Sequence, residues 1–136
     1  MKITIGAVVL AAALAAAGCS SSSSPAVHKP ATFTIVGTIT VASPCDSLRD
    51  SGYSDITEGA QVKVTGPDGR SLAVGRLGAH EDPAVMADPS KCEFPFMVTH
   101  VRAGLRLYGI TVASRGTLEY TRAELHARPV ELTLGS

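Results

Sequence analysis

The residues of this chain able to do chemistry are three cysteines, Cys19, Cys45 and Cys92, four histidines, and a group of carboxylates. The carboxylates lie between Cys45 and Gly59, where Asp46, Asp50, Asp55 and Glu58 gather beside Arg49 and Tyr53. Oxygen ligands converging from one loop are what calcium requires. The spacing follows no D-x-D-x-D-G pattern, so the expectation is a solvated acidic loop in which Asp55 caps a turn or pairs with Arg49. His28, His80, His100 and His126 are joined by no H-x-H, H-E-x-x-H or mixed Cys/His spacing, so neither a metal nor another cofactor is expected. No G-x-S-x-G occurs, and Ser54 and Ser71 stand where turns and strand starts favour serine. Glu93, Glu119 and Glu131 fall on the outward phase of strands, away from any desolvated cleft for acid–base work. No catalytic residue is assigned, and an enzyme is not expected.

The first cysteine has a distinct setting. Met1 and Lys2 precede an uncharged run from Ile3 to Ala17, the arrangement of a positive n-region followed by an apolar h-region. At about 15 residues the run is shorter than the roughly 20 that cross a bilayer core, which favours a signal sequence over an uncleaved anchor helix. Leu14-Ala15-Ala16-Ala17-Gly18-Cys19 closes it with small residues and resembles a lipobox, departing in Ala16, where leucine is commoner. The single Lys2 is a second departure. The resemblance implies a bacterial lipoprotein in which residues 1–18 are a removed signal peptide and the Cys19 thiol is diacylated. The chain would then be held on the extracytoplasmic face of the cell membrane, since two or more acyl chains anchor durably where one does not.

Residues 19–31 follow as lipidated cysteine and tether. Ser20 to Ser24, Pro25 and Val27-His28-Lys29-Pro30 bury nothing and keep the chain extended. A spacer is expected, with serine glycosylation as the alternative. In an oxidising compartment the two remaining cysteines, Cys45 and Cys92, are expected to pair, a free buried pair being the alternative. Closing so long a loop contributes about 4 kcal/mol in the chain-entropy description. Formal net charge is zero, and acidic and basic residues interleave along the chain. That pattern speaks against nucleic acid and against an electrostatically held partner.

The elements that must position these groups are strands. In Thr32 to Val41, Phe33, Ile35, Ile39 and Val41 alternate with Thr32, Thr34, Thr38 and Thr40, the period of a half-buried strand. Val62 and Val64 mark a second strand, and Gly66-Pro67-Asp68-Gly69 turns it into a third from Ser71 to Leu77. Cys92, Phe94, Phe96 and Val98 alternate in a fourth, whose Pro95 suggests an edge or a bulge because it has no N–H to donate. Tyr108, Ile110 and Val112 form a fifth strand, Leu118 and Tyr120 a sixth, and Val130, Leu132 and Leu134 a seventh. Thr121-Arg122-Ala123-Glu124 before the last matches a capping box and predicts a helical turn. Seven short strands with turns between them predict an all-β domain over residues 32–136, an antiparallel β-sandwich.

Gly59-Ala60-Gln61-Val62-Lys63-Val64, Pro67-Asp68-Gly69-Arg70 and Leu105-Arg106-Leu107-Tyr108-Gly109-Ile110-Thr111-Val112 resemble the transthyretin-like or carboxypeptidase-regulatory-like sandwiches, within the broader Ig-like architecture. Gly52-Tyr53-Ser54-Asp55-Ile56, Cys92-Glu93-Phe94-Pro95-Phe96 and Leu132-Thr133-Leu134-Gly135 resemble small exported domains of mycobacteria and other actinobacteria that have no assigned activity. The absence of Trp and Asn and the excess of Arg over Lys resemble the usage of such high-GC genomes. These resemblances imply fold and location, with no catalytic residue to carry over. The expected function is a non-catalytic envelope module that binds a protein, glycan or lipid partner. The alternatives are a small-lipid carrier, for which the small inward residues Gly37, Ala73 and Gly75 are the hint, and a hydrolase whose site forms only in space.

Overall fold

The chain folds around its longest alternating run. In the computed structural model, which describes residues 28–82 and 84–135, β1 spans Thr32–Val41 and its apolar phase is turned inward, with Ile35, Ile39 and Val41 almost fully buried. A 3₁₀ helix over Cys45–Asp50 follows. Then come β2 (Gln61–Thr65), β3 (Ser71–Leu77), β4 (Cys92–Arg102), β5 (Leu107–Val112), β6 (Thr117–Thr121), α1 (Arg122–Ala127) and β7 (Val130–Leu134). The expected signal peptide (residues 1–18), Cys19 and residues 20–27 of the expected tether lie outside the described residues. No helix among the described residues is long and apolar enough to cross a membrane.

The seven strands form one curled sheet, a half-barrel, in the order β6-β5-β2-β3-β4-β1-β7. Five of its six neighbouring pairs are antiparallel, as alternation and tight turns require; β1 and β7 run parallel. The parallel pair has a topological cause. β6 arrives at the end of the sheet where β1 starts, and α1 with Arg128 and Pro129 carries the chain over to the outer edge of β1, so the next strand runs alongside β1. The fold is therefore mostly β with seven strands, in a single mixed sheet that curls over its own concave face. Phe94, Phe96, Val98, Val62, Val64, Ile110, Val112 and Leu132 fill that face. Each such side chain contributes about 1.5–3 kcal/mol of burial. Among the described residues, the buried core runs from Ile35 to Leu132, and the Cys45–Cys92 bridge lies within that span.

Pro95 occupies an interior strand, neither a bulge nor the sheet edge. β3 pairs with β4 only at Arg76 and Leu77, and beyond that the Pro95 carbonyl accepts from the Gly78 N–H at 2.7 Å. The absent Pro95 N–H lies on that same side, past the last paired residue of β3, so no ladder bond is lost. Gly37 and Gly75 mark close approach: a Cβ on Gly37 would lie 2.5 Å from the Phe96 ring and from the Val130 carbonyl, and one on Gly75 would lie 2.4 Å from the Met97 carbonyl. Their small size is consumed by packing and leaves no chamber beside them.

Cys45 and Cys92 are joined by a disulfide, with Cα atoms 4.8 Å apart. β1 and β4 prepare it, since Val41 and Cys92 are partners in the ladder and the 3₁₀ helix turns Cys45 back over the strand it has just left.

Candidate functional site

Strand direction sorts the connections into two ends. The segment expected to be a tether joins at one, called the tether end: Ala31 accepts from the Ala103 N–H at 2.8 Å, so the chain enters beside the β4–β5 turn. The other end carries the bridge.

At the tether end the β4–β5 turn is fixed by a buried tyrosine. Tyr108 donates its hydroxyl hydrogen to the Arg102 carbonyl at 3.1 Å and accepts from the Leu105 N–H at 3.2 Å. Gly104 bridges the two at φ +93°, a conformation that favours glycine. Phe33 packs edge-on against Tyr108 at 5.4 Å and lies against the His126 ring at 4.8 Å, which seats α1 on the start of β1. α1 opens with the expected capping box. Thr121 accepts from the Glu124 N–H at 3.3 Å, and Glu124 accepts from both the N–H and the hydroxyl of Thr121. Those two bonds hold the Glu124 carboxyl below its usual pKa. The Arg122 N–H donates to the Arg106 carbonyl at 3.1 Å, setting two arginines side by side.

Between the turn and the helix lies a shallow groove of about 600 Å³, lined by Gly104, Leu105, Arg106, Thr121, Arg122, Ala123 and His126. Three cationic or titratable side chains edge it, and no carboxylate does. The β2–β3 turn abuts the same end, since the Gly66 Cβ position is 3.4 Å from the Leu105 side chain. Across the connections and strand-terminal residues at this end, Lys29, Arg70, Arg102, Arg106, Arg122 and Arg128 stand against Asp68 and Glu124, a surplus of four positive charges, and Glu131 of β7 lines a hollow with Arg128. Asp68 pairs with Arg70 at 3.4 Å, and Glu124 is engaged in its cap.

The bridge end has the opposite balance. Its connections carry Asp46, Asp50, Asp55, Glu58, Glu81, Asp82 and Asp88 against Arg49, Lys91 and Arg115, a surplus of four negative charges. The acidic loop expected from sequence is here, but Asp55 pairs with Arg115 of the β5–β6 turn and not with Arg49. Arg115 Nε donates to Asp55 Oδ2 at 3.0 Å, its Nη2 donates to the Gly52 carbonyl at 2.7 Å, and its guanidinium lies 5.2 Å from the Tyr53 ring centre. Ser114 adds a hydrogen bond to Asp55 at 2.9 Å. Partial burial raises the Asp55 pKa, and the bonds from Arg115 and Ser114 more than reverse this, leaving it below the usual carboxylate value. Asp46, Asp50 and Glu58 stand exposed around this pair.

Among the described residues, the one grouping with metal-ligand atoms close together is Cys45, Cys92 and His80, all within 4.8 Å of one another. Its sulfurs are joined in the bridge, so the thiolates a metal would need are not offered. The histidines are spent on packing or local bonds: His80 packs edge-on to Phe94, His126 lies against Phe33, and His100 bonds Thr99 at 3.1 Å.

The basic end escaped the sequence reading because its cations are spread from position 29 to position 128. A signal existed. In a chain of alternating strand directions, connections of the same parity share an end, and Arg70, Arg102, Arg106, Arg122 and Arg128 all follow even-numbered strands or close them. Set against known protein families, curated proteins and solved structures, the chain matches none.

Proposed function

We propose that the chain is a bacterial cell-envelope lipoprotein, anchored in the extracytoplasmic leaflet through a diacylated Cys19 and carrying a non-catalytic module on a short tether. The observation that carries this reading is the use of the cysteines. Cys45 and Cys92 are joined to each other, and the third cysteine of the sequence, Cys19, stands directly after Leu14–Gly18. A thiol at that place, after an apolar run too short to span a bilayer, is suited to acylation. The described ladder begins at Thr32, and the Ser- and Pro-rich stretch ahead of it in the sequence suits an anchor and spacer.

The kinship with transthyretin-like sandwiches of actinobacterial envelope proteins belongs to the same proposal. The β2–β3 hairpin with its Asp68-Gly69 turn and the Tyr108-x-Ile110-x-Val112 strand support it, and they pair with one another through β2 and β5. The close-packed Gly37 and Gly75 favour a module that acts through its surface over a carrier with an internal cavity.

The test is fractionation of cells producing the whole chain. The unsubstituted protein is expected in the membrane fraction, extractable by detergent and not by salt. Cys19→Ala is expected to accumulate at precursor mass or to leave the membrane. A Cys19→Ala protein that stays membrane-bound at mature mass would overturn the proposal.

A further inference from the structure

We infer that the tether end of the domain is a docking surface for anionic phospholipid headgroups, so that the module lies against the membrane that holds it. Two independent observations meet here. One is charge: the groove between the β4–β5 turn and α1 is edged by Arg106, Arg122 and His126, with no carboxylate among its lining residues. It sits at the end with the surplus of four cations. The other is attachment: Ala31 bonds Ala103, so the chain arrives two residues from the groove wall at Leu105. The arginine side chains are exposed, and their backbones are held by the Tyr108 hydroxyl and by the Arg122–Arg106 hydrogen bond, so the cations need little reordering to meet an anionic surface. Leu105 and Ala123 give the groove an apolar floor suited to the glycerol backbone beneath a headgroup phosphate.

The orientation rests on the anchored reading. The chain enters the domain at its basic end, which in that reading is the end nearer the membrane, and charge at physiological salt acts over about 8 Å, so the cations there meet the negatively charged leaflet while the acidic end is turned away from it.

The headgroup chemistry is tested apart from lipidation by using residues 28–136, which hold all seven strands, the described core and the disulfide and lack Cys19. Sedimentation with phosphatidylglycerol-containing vesicles and with pure phosphatidylcholine vesicles is compared, with circular dichroism as the check on folding. Binding to the anionic vesicles is expected to be about tenfold or more stronger, and to weaken as ionic strength rises. Arg106→Glu combined with Arg122→Glu, both exposed, is expected to lower it about tenfold or more, and Glu58→Lys at the far end is expected not to lower it. Equal binding to both vesicle types overturns the inference, as does undiminished binding of the double variant. Release by inorganic phosphate, where chloride of equal ionic strength does not release, would identify the ligand as free phosphate and also overturn it. Retention on soluble polyphosphate without binding to vesicles would do the same. None of these results bears on acylation of Cys19, which the fragment lacks.

Discussion

The two ends of the sheet are held by different forces, and the difference follows their charge. At the bridge end a covalent link joins β4 to the 3₁₀ helix, and Arg115 ties the β5–β6 turn to Asp55, Gly52 and Tyr53. Long connections, residues 42–60 and 78–91, have to be gathered there, and ordering them costs conformational entropy that local turns do not demand. At the tether end the connections are short, and a tyrosine hydroxyl and a capping box suffice to fix them. Among the described residues, Arg70 alone of the arginines at that end forms an ion pair, an exposed one with Asp68, and none of them ties distant segments together as Arg115 does at the other end. Like charges gathered without partners do not stabilise the domain, and this frees them for an outside surface.

That contrast can be broken from either side, and the largest effect is expected at the bridge. Replacing both Cys45 and Cys92 by Ala should lower unfolding free energy by about 4 kcal/mol in denaturant titration. Amide exchange should quicken more over residues 45–50 than over 102–106. Equal quickening at both ends would show that the bridge is a global staple with no local bias. Gly37→Ala, which forces a methyl against the Phe96 ring and the Val130 carbonyl, should cost about 1–3 kcal/mol and weaken the β1–β7 pairing first. Tyr108→Phe should cost about 1–2 kcal/mol, because it strips the partner from the Leu105 N–H, with faster exchange confined to the 102–106 turn. Asp55→Asn should cost about 1 kcal/mol near neutral pH, a modest figure because both partners remain partly solvated.

The Asp55 prediction has a pH signature. Its folded pKa lies below the ordinary 3.8, so the stability it contributes is fully present above that value and is lost as pH falls through the lower folded one. Acid titration of stability should therefore show a steeper decline in the unsubstituted protein than in Asp55→Asn, with the two converging at the lowest pH. The smallest effect is reserved for the tether end: Arg106→Glu with Arg122→Glu should move stability by no more than about 0.5 kcal/mol.

Most of the elements were legible because their signals are local. The threonine and isoleucine alternation of Thr32 to Val41, the Pro67-Asp68-Gly69 turn and the Thr121–Glu124 box each act within a few residues, and each forms as its pattern implies. The Cys45–Cys92 pair was legible once Cys19 was set aside by the lipobox-like residues before it. What was not legible depends on which strands become neighbours. The parallel β1–β7 pair is set by where β6 ends, and Asp55 finds Arg115 across 60 residues rather than Arg49 six residues away, because the β5–β6 turn folds onto the loop. The charge polarity is hidden for the same reason. Acidic and basic residues interleave in sequence, and alternating strand direction separates them in space.

The proposed anchor is the link on which location and orientation both depend, and intact-mass analysis of the full-length protein extracted from membranes tests it most directly. The expected species is a polypeptide beginning at Cys19, heavier than its sequence by a diacylglyceryl group with or without a further acyl chain on the new amino terminus, and with Cys45 and Cys92 oxidised. A mass equal to the bare polypeptide, or a precursor still carrying Met1 to Gly18, would contradict it.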